Sequence, residues 1–156
     1  MFKKILIPID GSDLSMRAAG CGIQLAKEMN AVVVFVHAMA PYIIPYAADV
    51  AMMDSKTQKI FEDEINAGSQ TLLDDAKRLA SGAGVASECI QEATGRPEVL
   101  IEKTARDLHC DLVVIATHGR GAVGRFVMGS VTTRLLPICP VPVLVYRDAS
   151  MTSDTV

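Results

Sequence analysis

Tryptophan is absent from this chain, and aromatic residues make up only 4% of it. The core must therefore be aliphatic and closely fitted, which suits helices laid on a parallel sheet. No CxxC pair occurs among Cys21, Cys89, Cys110 and Cys139. The first three fall in expected helix or strand, so buried, reduced thiols are the reading. Neither they nor His37, His109 and His118 have zinc spacing, which argues against a metal held by side chains. Excess positive charge is lacking too. The formal net charge is −3 and the pI about 5.6, which argues against general nucleic-acid binding. The first apolar run follows Lys3-Lys4 and stops at Asp10, too short for a signal peptide or a membrane span. A cytoplasmic protein without membrane insertion is the expectation. One further absence is local: from Leu112 to Arg147 there is no Asp or Glu, while Arg120, Arg125, Arg134 and Arg147 are present.

At 156 residues, half of them hydrophobic, the chain has the length and composition of one domain. Residues 3–9 read as a buried strand, with Pro8 near its end because it cannot donate to a central ladder. Asp10 to Asp13 turn into a helix over 13–29, capped by Ser12 or Asp13 and stopped by Asn30. A second buried strand spans 31–38. Residues 40–55, with Pro41 and Pro45, read as a long loop, a lid or contact surface. A long amphipathic helix covers 56–81, with Phe61, Ile65, Leu72, Ala76 and Leu79 on one side, and Gly82 and Gly84 end it. Residues 85–93 alternate as an edge strand. Pro97 and Glu98 open a helix that runs to about His109. Leu112 to Ala116 form a fourth strand, apolar without alternation and so buried on both faces. A short helix at 130–136 ends at Pro137, and 141–147 form a last strand whose prolines suit an edge.

This alternation implies an open parallel sheet with right-handed crossovers and helices on both faces, in which strands one and four are neighbours. Five strands in the order 3-2-1-4-5 are the expectation. Residues 1–147 form the expected domain and 148–156 a loose tail. Ligands in such sheets bind beyond the C-terminal strand ends where the winding reverses. Asp10 and the segment after the fourth strand then face one crevice.

That segment, DLVVIATHGRGAVGRFVMGS, is the stretch on which function turns. Gly119, Gly121 and Gly124 let the backbone approach a ligand, and Gly129-Ser130 leads into a helix start that favours an anion. Without carboxylates, this is a phosphate cradle in outline. Gly119 to Gly124 match GxGxxG, but the motif follows the fourth strand rather than the first, and no acid comes before Asp148. Gly119 and Gly124 also have the spacing of GxxxxGK[ST], but Arg125-Phe126 replaces the required lysine and hydroxyl. His118 has no nearby partner for a nucleophilic triad, so it reads as a structural or ligand-edge residue. His37 and His109 read as core or helix-end residues.

Several separated motifs occur in an order that resembles the universal stress protein family: KKILIPIDGS at the start, the strand ending in His37, DLVVIATHGR, the GSVT step and the closing PVPVLVYR. The family's loop pattern is G-x-x-G, nine residues, then G-[S/T], and here Gly119, nine residues and Gly129-Ser130 fit it. The resemblance implies a Rossmann-like adenine-nucleotide fold. In ATP-binding members the first strand's end receives adenine and ribose, which corresponds to Pro8, Ile9 and Asp10. Ala38 stands at a backbone contact after the second strand, and Ile115 and Ala116 lie against base and ribose. His118, Gly119, Arg120 and Gly121 begin the loop, and Gly129, Ser130, Val131 and Thr132 complete the phosphate-facing end. The implied ligand is ATP, ADP or AMP, with Mg²⁺ or Mn²⁺ held through the phosphates. The resemblance also implies a homodimer through strand 141–147 and an unnamed protein partner.

The chain departs from the pattern at Ala116, which replaces its first glycine. A methyl there is expected to narrow the ribose-phosphate floor and to weaken binding rather than abolish it. The expected function is a nucleotide-binding stress regulator that signals through conformation and dimer surface. No general base or activated nucleophile stands out. A nucleotide-independent dimeric interaction protein is the alternative. A weak ATPase or an autophosphorylating enzyme, with Thr132 or Thr133 as acceptor, is a more distant one.

Overall fold

The computed structural model describes residues 1–40, 55–119 and 128–148, without the side chains at 55–58, 60–62 and 65. Five strands form one parallel sheet: β1 (Lys4–Pro8), β2 (Val32–Met39), β3 (Ser87–Ala93), β4 (Leu112–Ala116) and β5 (Val143–Tyr146), in the order β3-β2-β1-β4-β5. The helices between them are α1 (Asp13–Met29), α2 (Ser55–Gly82), α3 (Pro97–Asp107) and α4 (Ser130–Leu135).

Strand alternation sorts the central apolar residues into two cores. Ile5, Ile7, Val33, Phe35 and Val114 face Ala19 and Ile23 of α1 and Leu73, Ala76 and Ala80 of α2. Leu6, Val34, Val36, Val113 and Ile115 face Leu100, Ile101 and Ala105 of α3 and Leu135 of α4. Burial on both faces explains why these strands are continuously hydrophobic rather than alternating. Each large aliphatic side chain so enclosed contributes about 2 kcal/mol of transfer free energy.

The helix ends obey their local chemistry. Ser12 caps α1 by accepting from the Ser15 amide at 3.2 Å. Asn30 ends that helix in the left-handed region, where its amide reaches back to Ala26 and Lys27. The Asp111 carboxylate takes the Lys3 and Lys4 amides at 2.7 and 3.1 Å, pinning the start of β1 beside β4.

Some expectations need correction. Leu79 is 50% exposed, because α2 turns Leu73, Ala76 and Ala80 to the sheet. Cys21 and Cys89 are also exposed, on the outer side of α1 and on edge strand β3, whereas Cys110 is buried. Burial pushes the Cys110 thiol up to about 11, Asp111 and Glu88 add to the rise and Lys4 opposes it. The proposed lid at 40–55 lies, from residue 41 to 54, outside the described residues. The expected tail does too, from residue 149 onward; its first residue, Asp148, forms an ion pair with Arg17 of α1.

Gly22 marks the tightest helix–sheet approach. A β-carbon there would lie 2.5 Å from Ile7 Cδ1 and 3.4 Å from Val114 Cβ. Ile7 is fully enclosed, so it has nowhere to move. Gly22→Val is expected to cost about 2 kcal/mol by overpacking. Calorimetry should register this as a fall in melting temperature of roughly 6 °C. An unchanged transition would show that α1 can ride up without loss.

Candidate functional site

The sheet is open where β1 and β4 part. Their ladder holds only Ile5 to Leu112 and Leu6 to Val113, although β4 stays paired with β5 as far as Ala116. Ile9 donates to Val36 of β2 at 2.9 Å, so by alternation the N–H that Pro8 lacks would point toward β4. Proline therefore sits where the β1–β4 pairing has already ended, and the strand ends diverge without stranding a donor. This is the point at which the winding reverses, and the gap is a crevice of about 170 Å³.

The apolar lining of the crevice comes from Val36 and Ala38 of β2, Pro97 and Ile101 of α3, Ile115 and Ala116 of β4 and Val131 of α4. Asp10, Ser15, His118, Gly119 and Thr132 add polar and backbone surface. Pro8 and Ile9 complete the lining from the end of β1.

Asp10 is held in place by the turn that follows it. Its Oδ1 accepts from the Ser12 amide at 2.9 Å and the Ser12 hydroxyl at 2.7 Å. Gly11 has φ of +79°, a conformation that favours glycine and lets the chain reverse between Asp10 and the helix cap. Ser15 donates from Oγ to the Ser12 carbonyl at 2.9 Å and accepts from the Asp10 amide at 3.4 Å. The carboxylate then meets Gly119 across the crevice: a β-carbon on Gly119 would fall 2.1 Å from Asp10 Oδ2.

The glycine loop is drawn together at its base. The Gly129 amide donates to the Thr117 carbonyl at 2.7 Å, and the Thr132 hydroxyl to the Ala116 carbonyl at 2.9 Å. A β-carbon on Gly129 would stand 2.9 Å from His118 Cα. The His118 ring nitrogen Nδ1 is 3.2 Å from Thr117 Oγ1. His37 points elsewhere, with Nδ1 2.8 Å from the Ile9 carbonyl.

The fold thus brings Pro8, Ile9, Asp10, Ala38, Ile115, Ala116, His118, Gly119, Val131 and Thr132 to one crevice. Gly129 sits at the loop base, and Ser130 is exposed at the start of α4. Arg120 and Gly121 lie outside the described residues. Four lining residues escaped the sequence reading: Ser15, Val36, Pro97 and Ile101. Val36 was signalled by sharing a strand face with Ala38, and Ile101 by lying one helical turn from Pro97. Ala116 borders the crevice, yet it packs with Leu14 and Ala18 of α1 and with Tyr146. Alternation after Ile115 turns its methyl toward α1, so the floor keeps its backbone surface.

The family model described as the universal stress protein family matches residues 1–147. A universal stress protein of Methanocaldococcus jannaschii is 30% identical over 149 residues, covering 94% of this chain and 83% of that protein. One of Bacillus subtilis is 29% identical, covering 94% of this chain and all of the relative. Among solved structures, a universal stress protein in complex with cAMP superposes with TM-score 0.68 at 22% identity, covering 94% of this chain and 97% of the other. One from Archaeoglobus fulgidus in complex with dAMP gives 0.66 at 16% identity over 94% and 98%. A family protein from Arabidopsis thaliana with AMP bound gives 0.68 at 15% identity over 97% of each chain. These likenesses establish the fold.

Proposed function

Because the chain belongs to the universal stress protein family, we propose that it binds an adenine nucleotide in the crevice between β1 and β4 and works as a stress-response regulator rather than a high-turnover enzyme. The observation that carries this reading is a mostly apolar crevice at the reversal of winding, bordered by the base of the glycine loop. Val36, Ala38, Pro97, Ile101 and Ile115 supply apolar surface for a flat base, and Gly119 supplies backbone for phosphate. Solved family members bound to cAMP, dAMP and AMP support the ligand class. The methyl of Ala116, directed to α1, leaves room where a glycine-to-alanine change would otherwise intrude.

In this reading base and ribose lie along Pro8, Ile9, Asp10 and Ala38, with Ile115 and Ala116 beneath. The phosphates run toward His118, Gly119 and the Gly129–Thr132 segment, with Arg120 and Gly121 of the loop beside them. A divalent cation such as Mg²⁺ or Mn²⁺ arrives with the phosphates, since the described residues contain no cluster of side chains suited to hold one. Nucleotide occupancy changes a surface read by a protein partner in the cytoplasm.

The two sheet edges support the proposed homodimer. Edge strand β3 carries exposed Glu88 and Glu92, the latter paired with Lys103, and such charges discourage strand addition. Strand β5 carries Val143, Leu144, Val145 and Tyr146, an apolar edge suited to a second copy of the same strand.

Denaturing the purified protein and running the released solutes on anion exchange tests the ligand. An adenine nucleotide near one per chain is expected, with AMP or MgATP at millimolar concentration raising the melting temperature by several degrees. No nucleotide and no shift would end this reading.

A further inference from the structure

Thr132 makes, through its side chain, a bond on which the nucleotide reading does not call. It is a buried hydroxyl residue, 2% exposed, on the first turn of a short helix beside the ligand crevice. Its hydroxyl donates to the Ala116 carbonyl at 2.9 Å. One residue beyond the end of β4, the Thr117 carbonyl accepts from the Gly129 amide at 2.7 Å. Two successive carbonyls at the end of one strand are therefore taken by two donors from the far side of the glycine loop. The loop leaves between Thr117 and Gly129 and returns to the same strand end, so these two bonds form its neck. Gly129 itself lies against His118, with no space for a β-carbon.

We infer that Thr132 is a positioning residue: its hydroxyl clamps the neck of the glycine loop, and the ligand-facing backbone of His118 and Gly119 is set by that clamp before any ligand arrives. This inference rests on the proposed nucleotide reading only for its ligand. A hydrogen-bonded neck costs nothing at the moment of binding, because the loop's ends have already lost their freedom in the free protein. Removing the hydroxyl leaves a buried carbonyl without its donor and returns that ordering cost to the binding step. Gly129 and Thr132 are three residues apart on the same helical turn, so losing one bond loosens the other.

The test compares Thr132→Val with Thr132→Ser. Valine keeps the shape and removes the donor, and serine keeps the donor. In the ligand-free protein, hydrogen exchange of the Gly129 amide is expected to speed up about tenfold in T132V and to stay within about twofold of the parent in T132S. Calorimetric titration with AMP should show an affinity loss of about tenfold for T132V and recovery with T132S. Equal melting temperatures for the two variants would exclude general destabilisation as the cause. Unchanged Gly129 exchange in T132V, or an equal loss in T132S, overturns the inference. If T132V does not fold, T132A takes its place against T132S with the same two outcomes. If the parent protein binds neither AMP nor MgATP, the nucleotide reading fails, and Gly129 exchange alone still decides whether Thr132 holds the neck.

Discussion

Gly119→Ala is expected to lower affinity for AMP or MgATP by about a hundredfold while moving the melting temperature by only a few degrees. The added methyl would fall 2.1 Å from Asp10 Oδ2, far inside any tolerated contact. Something must move, and the free protein has an easy route: the crevice is open, so residue 119 shifts into it. That escape spares the fold but occupies the ligand's space. Asp10 cannot swing away freely, because its Oδ1 holds the Ser12 amide and hydroxyl at the cap of α1. Binding must then reverse the shift, at about 2–3 kcal/mol of overpacking, which corresponds to about two orders of magnitude in the dissociation constant.

A second substitution separates the steric cause from the loss of a ligand contact. In an Asp10→Ala background the obstructing carboxylate is gone, so Gly119→Ala should cost much less than it does alone. Neighbours that share one contact are not additive, and a cycle of the two single variants and the double variant measures the coupling by titration calorimetry. Additive losses would show that Gly119 and Asp10 act separately and that the close approach has no part in binding. Gly129→Ala gives the contrasting case. Its methyl would meet backbone, His118 Cα at 2.9 Å and the Thr117 carbonyl at 3.2 Å, which no side-chain rotation relieves.

The difference between these glycines was not legible in the amino-acid order, and the reason is physical. Gly119 and Gly129 both mark a close approach, which the pattern of the loop makes plain. What each approaches depends on residues far away in the chain: Asp10 in one case, the neck of the loop in the other. Alternation and the burial of both faces implied a parallel sheet covered on two sides, and in the order β3-β2-β1-β4-β5 the winding reverses between β1 and β4, where the crevice lies. Ala116 was harder. In a strand that is apolar throughout, hydrophobicity does not reveal which face a given residue takes. Only the packing with Leu14, Ala18 and Tyr146 shows the methyl turned to α1. Leu79 misled for a related reason: its helical spacing fits the buried stripe, but the stripe that meets the sheet passes through Leu73, Ala76 and Ala80. Glu98 reads from sequence as a favourable charge at a helix start, yet it is 4% exposed, with Arg96 3.4 Å from one oxygen. Its enclosure comes from the tertiary fold, which no local rule contains.

The proposed dimer makes the second large prediction. Val145→Pro is expected to convert a dimer into a folded monomer, with the dissociation constant raised about a hundredfold or more. The pairing of β5 explains the choice of position. Its Pro142 and Tyr146 carbonyls accept from Val113 and Thr117 of β4, so the even-numbered residues face inward across the sheet. Alternation leaves the N–H and C=O groups of Val143 and Val145 on the open edge. Proline at 145 therefore removes a donor that the isolated subunit does not use, and edge strands accept proline on that side. A two-fold interface is self-complementary, so a single substitution removes the donor from both copies. Two lost hydrogen bonds and the steric disruption of an adjoining strand together amount to about 2–3 kcal/mol, enough for the stated shift in equilibrium. Sedimentation velocity over a range of concentrations measures it, with circular dichroism to establish that the variant is folded. Glu88→Gln on the opposite edge is the control and should leave the mass unchanged. A parent protein that sediments as a monomer throughout, or a proline variant that remains dimeric, would remove β5 from the assembly.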